Sequence, residues 1–279
     1  MLNVMPLAGA LGAEVGGVRL AALEDAATWD EIHRAFLRHA VLVFRDQAVE
    51  PADLMRIGRR FGEPCHYPFV TGIEGFPFIF EVVKEESERT NFGGAWHSDT
   101  TYLPQPPLAT LLHALETPAH GGDTLFANTA AAYEALSDGM RRLVDGLVGV
   151  NSASLKYGGG RTSMHKNIGA MKVHDTDSAE QYETGHPVAR THPGTGRKAL
   201  YVSRSHTIRF RDMTEDESRP LIDWLQAHQV RAEFTCRVRW APGTLTIWDN
   251  RCTQHNAVND YHGQRRRMRR LTVGPETPR

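Results

Sequence analysis

Trp96-His97-Ser98-Asp99-Thr100-Thr101-Tyr102 places an imidazole and a carboxylate two positions apart, and Trp248-Asp249-Asn250-Arg251-Cys252-Thr253-Gln254-His255 ends on a second imidazole. Two imidazoles and one carboxylate are the donor set that holds a metal on one face and leaves its other coordination positions open. On an extended strand, His97 and Asp99 project to the same side. The third donor lies far downstream, so the fold has to bring His255 back to the first pair. The set suits non-haem Fe(II), and the same donors also hold catalytic Zn(II) in hydrolases.

Outward from these stretches, short strand-like segments dominate. Ala40–Phe44, Pro77–Val83, Pro106–His113, Asp123–Ala127, Ala232–Trp240, Gly243–Trp248, Thr253–His255 and Arg267–Val273 read as strands, and Val188–Val202 as a hairpin. The turn His120-Gly121-Gly122 separates two of them. Helices are predicted over Asp25–His39, with Trp29, Ile32, Ala35 and Phe36 inward, and over Pro51–Phe61, opening on proline. Asn128 and Ser137 read as N-caps of two short helices, and Thr214-Glu-Asp-Glu217 as a capping box. The capping box opens a helix expected to line one face with Leu221, Trp224, Leu225 and His228. Two segments read as mobile loops: 84–95, charged and then Gly-rich, and 157–185, polar with weak periodicity. Many short strands with outer helices imply a mainly β chain, one domain over 1–279, with a sandwich or barrel-like core.

The chain has 279 residues, 41% hydrophobic and 23% charged, with a net charge of −1. That balance gives no reason to expect nucleic acid or an anionic membrane as partner. No apolar run approaches the roughly 18 residues that span a bilayer, and the N-terminus lacks the pattern of a signal peptide. Three widely spaced cysteines, Cys65, Cys236 and Cys252, fit a reducing compartment. A cytoplasmic enzyme is expected.

Five motifs occur in order: Trp96-His-Ser-Asp-Thr-Thr-Tyr102, Gly121-Gly-Asp-Thr-Leu-Phe126, Thr246-Ile-Trp-Asp-Asn-Arg251, Thr253-Gln-His255, and Asp260-Tyr261 leading to Gln264-Arg-Arg266. With them the chain resembles, over nearly its full length, the Fe(II)- and 2-oxoglutarate-dependent dioxygenases of the TauD/TfdA type (taurine and 2,4-dichlorophenoxyacetate dioxygenases). The resemblance implies a double-stranded β-helix (jelly roll) core. It implies His97, Asp99 and His255 as metal ligands, and Thr124 and Arg266 as the grip on 2-oxoglutarate. Arg270 matches the arginine that takes the anionic group of the substrate. Fe(II), 2-oxoglutarate and O2 are the implied cofactor and co-substrates, with succinate and CO2 as products, and homodimers or homotetramers are common in the family. Strand alternation puts Arg266, Met268 and Arg270 on one face of their strand and leaves Arg265, Arg267 and Arg269 facing solvent.

The substrate is less legible. His66, Tyr67, Asn91 and His206 fall near the family's substrate pocket by position. Val70 and Gly93 stand where taurine users have polar groups, which argues against taurine dioxygenase proper. Aromatic and apolar walls with Arg270 suit a small anion with a hydrophobic body: an aryloxyalkanoate, an alkyl sulfonate or sulfate ester, or a similar carboxylate. Hydroxylation beside the heteroatom then leads to C–O or C–S cleavage. A metal-dependent hydrolase on the same donors, or a non-catalytic binder, is the reading to be separated from this one.

Overall fold

Four consecutive apolar residues, Val41 to Phe44, are all buried and form an inner strand of the main sheet, as an unbroken apolar run requires. The structure is a computed structural model that describes residues 2–154 and 182–279. Its first half runs β1 (Asn3–Pro6), β2 (Ala13–Gly16), α1 (Ala26–His39), β3 (Val41–Phe44), α2 (Pro51–Arg59), β4 (Pro64–Cys65), β5 (Ile79–Lys84), β6 (Pro107–Glu116), β7 (Thr124–Asn128), α3 (Thr129–Glu134), α4 (Asp138–Asp145) and β8 (Val148–Ser152). Its second half runs β9 (Glu183–Pro187), β10 (Ala189–Thr191), β11 (Lys198–Leu200), β12 (Thr207–Phe210), α5 (Glu215–Gln229), β13 (Thr235–Val238), β14 (Leu245–Asp249), β15 (Thr253–Ala257) and β16 (Arg266–Pro275). The molecule is mostly β.

The main sheet has the order β1-β2-β3-β14-β6-β16-β4, with β5 also paired to β16, and only β2 and β3 run parallel. A second sheet of three strands has the order β13-β7-β15, a third β12-β8-β9, and β10-β11 is the expected hairpin. Alternation divides the main sheet's side chains between two cores. Leu42, Phe44, Leu111, Leu245, Ile247 and Leu271 pack under Trp29, Ile32 and Phe36 of α1 and Leu54 and Ile57 of α2. The other face sends Val41, Val43, Leu112, Trp248 and Met268 against Phe126, Cys236 and Val238 of the three-stranded sheet. The candidate site lies in this second interior.

The capping signals act as their sequence suggests. Asn128 accepts from the N–H groups of Ala130 and Ala131 at 3.1 and 3.0 Å, Ser137 accepts from Met140, and Thr214 and Glu217 form the capping box of α5. The buried face of α5 keeps two of the four expected residues, Leu225 and His228, and adds Ser218, Ile222, Gln226 and Gln229; Leu221 is half-buried and Trp224 is 47% exposed, stacked on His228. The two glutamines are inside because they are paired: Gln226 donates to Gln254, and Gln229 to the carbonyls of Val202 and Leu225.

Outward Arg265, Arg267 and Arg269 are also not simply solvated. Arg265 forks onto Glu85 and Glu116, Arg267 onto Glu81, and Arg269 reaches Glu50. The arginine run is therefore a cross-strand ion-pair ladder, with its positive charge already matched. Of the two expected loops, 85–95 is irregular but fastened. Asn91 and Asn259 donate to the carbonyls of Ala257 and Arg89, and Ala257 N–H donates to Gly93. The 157–185 stretch lies outside the described residues up to 181, and Glu183–Gly185 belong to β9. Among the described residues no helix is long and apolar enough to cross a membrane.

Asn128 ends β7, caps α3 and also donates to the Ala10 carbonyl at 2.6 Å. Asn128→Ala is expected to cost about 1–2 kcal/mol, visible as a lower urea midpoint with an unchanged slope.

Candidate active site

His97 and His255 meet across two backbone hydrogen bonds, His97 N–H to the His255 carbonyl at 3.1 Å and His255 N–H to the His97 carbonyl at 2.8 Å. The bridge is isolated. Residues 96–99 do not form the extended strand that the spacing suggested, and the chain turns directly after Asp99. Thr100 takes φ +43°, uncommon for a β-branched residue, and its carbonyl accepts from Leu103 N–H. Ser98 Oγ donates to the Thr253 carbonyl and Ser205 Oγ to the Trp96 carbonyl, at 2.7 and 2.6 Å. These bonds fix both sides of the segment.

The turn swings Asp99 back between the rings. Its Oδ1 lies 3.6 Å from His97 Nε2 and 3.7 Å from His255 Nε2. One donor atom from each residue lies within 4.8 Å of the others, so the three can share a metal ion. His97 Nδ1 is 2.6 Å from the Ala95 carbonyl, which requires the proton on that nitrogen and aims a lone pair from Nε2 at the centre. Burial, with His97 adding to it, pushes His255 well below the usual histidine range and keeps it neutral. Burial alone would raise the Asp99 pKa. Arg270, His255 and His97 outweigh it and hold the carboxyl well below the ordinary range. Two neutral imidazoles and an ionised carboxylate are the protonation states that metal binding needs.

A relay of side chains sets the Asp99 rotamer. Trp248 Nε1–H donates to Asn250 Oδ1 at 3.0 Å, Asn250 Nδ2–H to Thr110 Oγ1 at 2.8 Å, and Thr110 Oγ1–H to Asp99 Oδ2 at 2.6 Å. Oδ2 is thereby occupied and Oδ1 faces the histidines. Arg270 forms an ion pair with that Oδ1 and lies between the rings of Phe80 and Trp248, 5.7 and 5.8 Å from their centroids.

Arg266 shares the inward face of β16 with Arg270, and both are buried. Among the described residues its Nε and one terminal nitrogen have no hydrogen-bond partner. Burial lowers its pKa. Its guanidinium lies over the Trp240 ring, 5.5 Å from the centroid, and the Trp240 N–H donates to Thr124 Oγ1 at 3.0 Å. Gly122 makes room here: it takes φ +67°, and a Cβ on it would stand 3.2 Å from Tyr261 and 3.4 Å from Arg266 Cδ. Any other residue would be strained by the positive φ and would press on Pro118, at 3.0 Å, and on Tyr261.

His97, Asp99 and Arg270 open onto a cavity of about 250 Å³, which Tyr67, Asn91 and His206 also line. His206 stands edge-on to His97 with Nδ1 3.0 Å from Thr101 Oγ1. Asn91 reaches the cavity wall while its Nδ2 staples the loop to Ala257. His66 is not brought there: it is exposed and packs on Phe78. Thr124, Arg266, His255 and Arg270 line a narrower chamber behind the triad. A second cluster, His192, Asp249 and Cys252, has the composition of a metal site. Its carboxylate is already taken by Arg251 and His192, at 2.7–2.9 Å, so it braces the turn between β14 and β15.

The family model for taurine catabolism dioxygenase TauD, TfdA family, matches residues 3–272. The chain belongs to the TauD/TfdA family. It is 38% identical to an alpha-ketoglutarate-dependent sulfate ester dioxygenase of Pseudomonas putida, over 99% of this chain and 91% of that one. An alkylsulfatase of Acinetobacter baylyi is 36% identical over 99% and 86%. The crystal structure of a taurine dioxygenase from Burkholderia xenovorans superposes with a TM-score of 0.83 at 32% identity, covering 99% and 90%. As a TauD/TfdA member the chain is an oxidoreductase that uses Fe(II), 2-oxoglutarate and O2.

Sequence reasoning did not single out Thr110, Asn250 or Trp240 for the site. Asn250 lies inside a quoted motif, but nothing in the order of residues says that it faces Thr110. Thr110→Val keeps the shape and removes the donor to Asp99. It is expected to weaken Mn(II) binding by about tenfold or more in a metal titration of the protein, with little change in secondary structure. Undiminished Mn(II) affinity would remove the relay from the site.

Proposed function

We propose that this TauD/TfdA dioxygenase hydroxylates small anionic organic substrates with a hydrophobic body, alkyl sulfate esters foremost. The observation that carries the reading is the inward face of β16, where two buried arginines four positions apart line two chambers that share Phe92, Gly93 and Arg270 as walls. Arg266, with donors to spare, and Thr124 suit the far carboxylate of 2-oxoglutarate, for which a planar guanidinium offers paired donors. Arg270, beside the triad, suits the anionic group of the prime substrate. His97, Asp99 and His255 would hold the iron.

When bound, iron with O2 and 2-oxoglutarate supplies the oxidant: R–H, O2 and 2-oxoglutarate become R–OH, succinate and CO2. The protein's own part is to hold the anion on Arg270 so that a neighbouring C–H faces the triad. Hydroxylation at the carbon bearing the ester oxygen gives a hemiacetal-type product. It collapses with C–O cleavage to an aldehyde and inorganic sulfate, and a sulfonate would lose its C–S bond in the same way.

Two relatives named for sulfate ester chemistry support the substrate class. Taurine is disfavoured because its amine needs polar company. Val70 is buried in an apolar cluster, and Gly93 adds no side chain where it lines the cavity. The apolar interior between the main sheet and β13-β7-β15 supports a double-stranded β-helix as the core. Three free thiols fit a reducing, cytoplasmic setting.

The test is succinate release with Fe(II) and 2-oxoglutarate across linear alkyl sulfates, alkyl sulfonates, taurine and aryloxypropionates, with and without O2. Expected is O2-dependent succinate with equimolar inorganic sulfate from the alkyl sulfates. Sulfate release without O2 would turn the reading to a hydrolase. Arg266→Ala should raise the KM for 2-oxoglutarate by at least about tenfold and leave the KM for the sulfate ester little changed.

A further inference from the structure

Trp240 touches both residues assigned to 2-oxoglutarate. Its indole N–H donates to Thr124 Oγ1 at 3.0 Å, and its ring lies under the Arg266 guanidinium at 5.5 Å. The indole is buried, and β13, which ends two residues before it, pairs with β7 so that Val238 sits opposite Thr124. The register brings the segment leading to Trp240 alongside Thr124, and the hydrogen bond and burial hold the indole there.

The consequence follows from counting protons. A threonine hydroxyl has one proton and two lone pairs, an indole N–H only donates, and a guanidinium has donors and no acceptor. The indole takes one lone pair of Thr124, so the hydroxyl proton must point elsewhere. Arg266 adds unpartnered N–H groups. This end of the chamber is then rich in donors and poor in acceptors, which favours a carboxylate and disfavours a carboxamide, whose NH2 needs an acceptor.

We infer that Trp240 is a positioning residue that orients the Thr124 hydroxyl and backs Arg266, and so sets the selectivity of the co-substrate site for a carboxylate terminus. The inference rests on the reading of Thr124 and Arg266 as the 2-oxoglutarate grip.

A double-mutant cycle tests it, with anaerobic calorimetry of the Mn(II)-loaded protein against 2-oxoglutarate and its C5 amide, 2-oxoglutaramate. Trp240→Phe keeps a ring under Arg266 and loses the N–H. It should weaken 2-oxoglutarate about fivefold, narrow the preference over the amide, and leave kcat at saturating 2-oxoglutarate within about twofold. In a Thr124→Val background, Trp240→Phe should cost nothing more. Trp240→His, which retains a ring N–H, should hold 2-oxoglutarate better than Trp240→Phe and is the second variant if the phenylalanine protein folds poorly. Equal losses from Trp240→Phe with and without the Thr124 hydroxyl, or histidine no better than phenylalanine, would reduce Trp240 to packing and overturn the inference. Failure of the wild-type protein to bind 2-oxoglutarate would instead strike the functional reading beneath it.

Discussion

The pair of backbone hydrogen bonds between His97 and His255 is the constraint on which the site depends. It joins segments far apart in sequence, and the loop-closure cost of doing so grows only slowly with length. What keeps it closed is the framing on each side. β15 pairs with β7 through His255↔Phe126, and the turn that delivers β15 from β14 is clamped by buried Asp249, whose carboxylate is bonded by both Arg251 and His192. The opposite partner has no strand to rely on. Ser98 and Ser205 replace ladder bonds with side-chain bonds, and the chain turns away directly after Asp99 through Thr100 at positive φ.

Burying this many charges needs a reason. An isolated charge in an apolar interior costs many kcal/mol unless it is paired. Asp99 is matched by Arg270 at Oδ1 and accepts from Thr110 Oγ1 at Oδ2. Arg266 is different. Its cation–π partner and the distant influence of Asp123 and Tyr261 leave two N–H groups unspent. A stability-optimised core would not keep them; the 2-oxoglutarate carboxylate proposed for this chamber would use both.

Periodicity and capping made most of the frame legible. α1 buries the four residues its spacing selects, and β16 alternates inward and outward arginines as a strand must. The candidate metal donors were legible by residue type, two imidazoles and a carboxylate set within motifs that keep the family's order. Elements built from polar residues were not. β8 reads Val-Gly-Val-Asn-Ser yet four of its five residues are buried, since Asn151 is satisfied by Gly149 and Thr207. The same blindness hid Thr110, Asn250, Gln226 and Gln229: each is inside only because a partner distant in sequence meets its hydrogen bond. Trp224 failed in the other direction, an apolar residue at helical spacing left outside because the paired glutamines took the interior.

The two parts of the site differ in how they are built. Thr124, His255, Arg266 and Arg270 all sit on strands β7, β15 and β16, where register fixes each side chain against its neighbours. Tyr67, Phe92 and His206, which wall the outer cavity, stand outside the regular strands. A buried strand side chain is held against its neighbours on the sheet, whereas an irregular segment can change its side chains and keep its ends. On the proposed assignment the co-substrate meets strand residues alone, Thr124 and Arg266, whereas the prime substrate meets one strand residue, Arg270, and otherwise the looser rim. That is why motifs identify the reaction readily, while the substrate has to be argued from the shape and charge of one cavity.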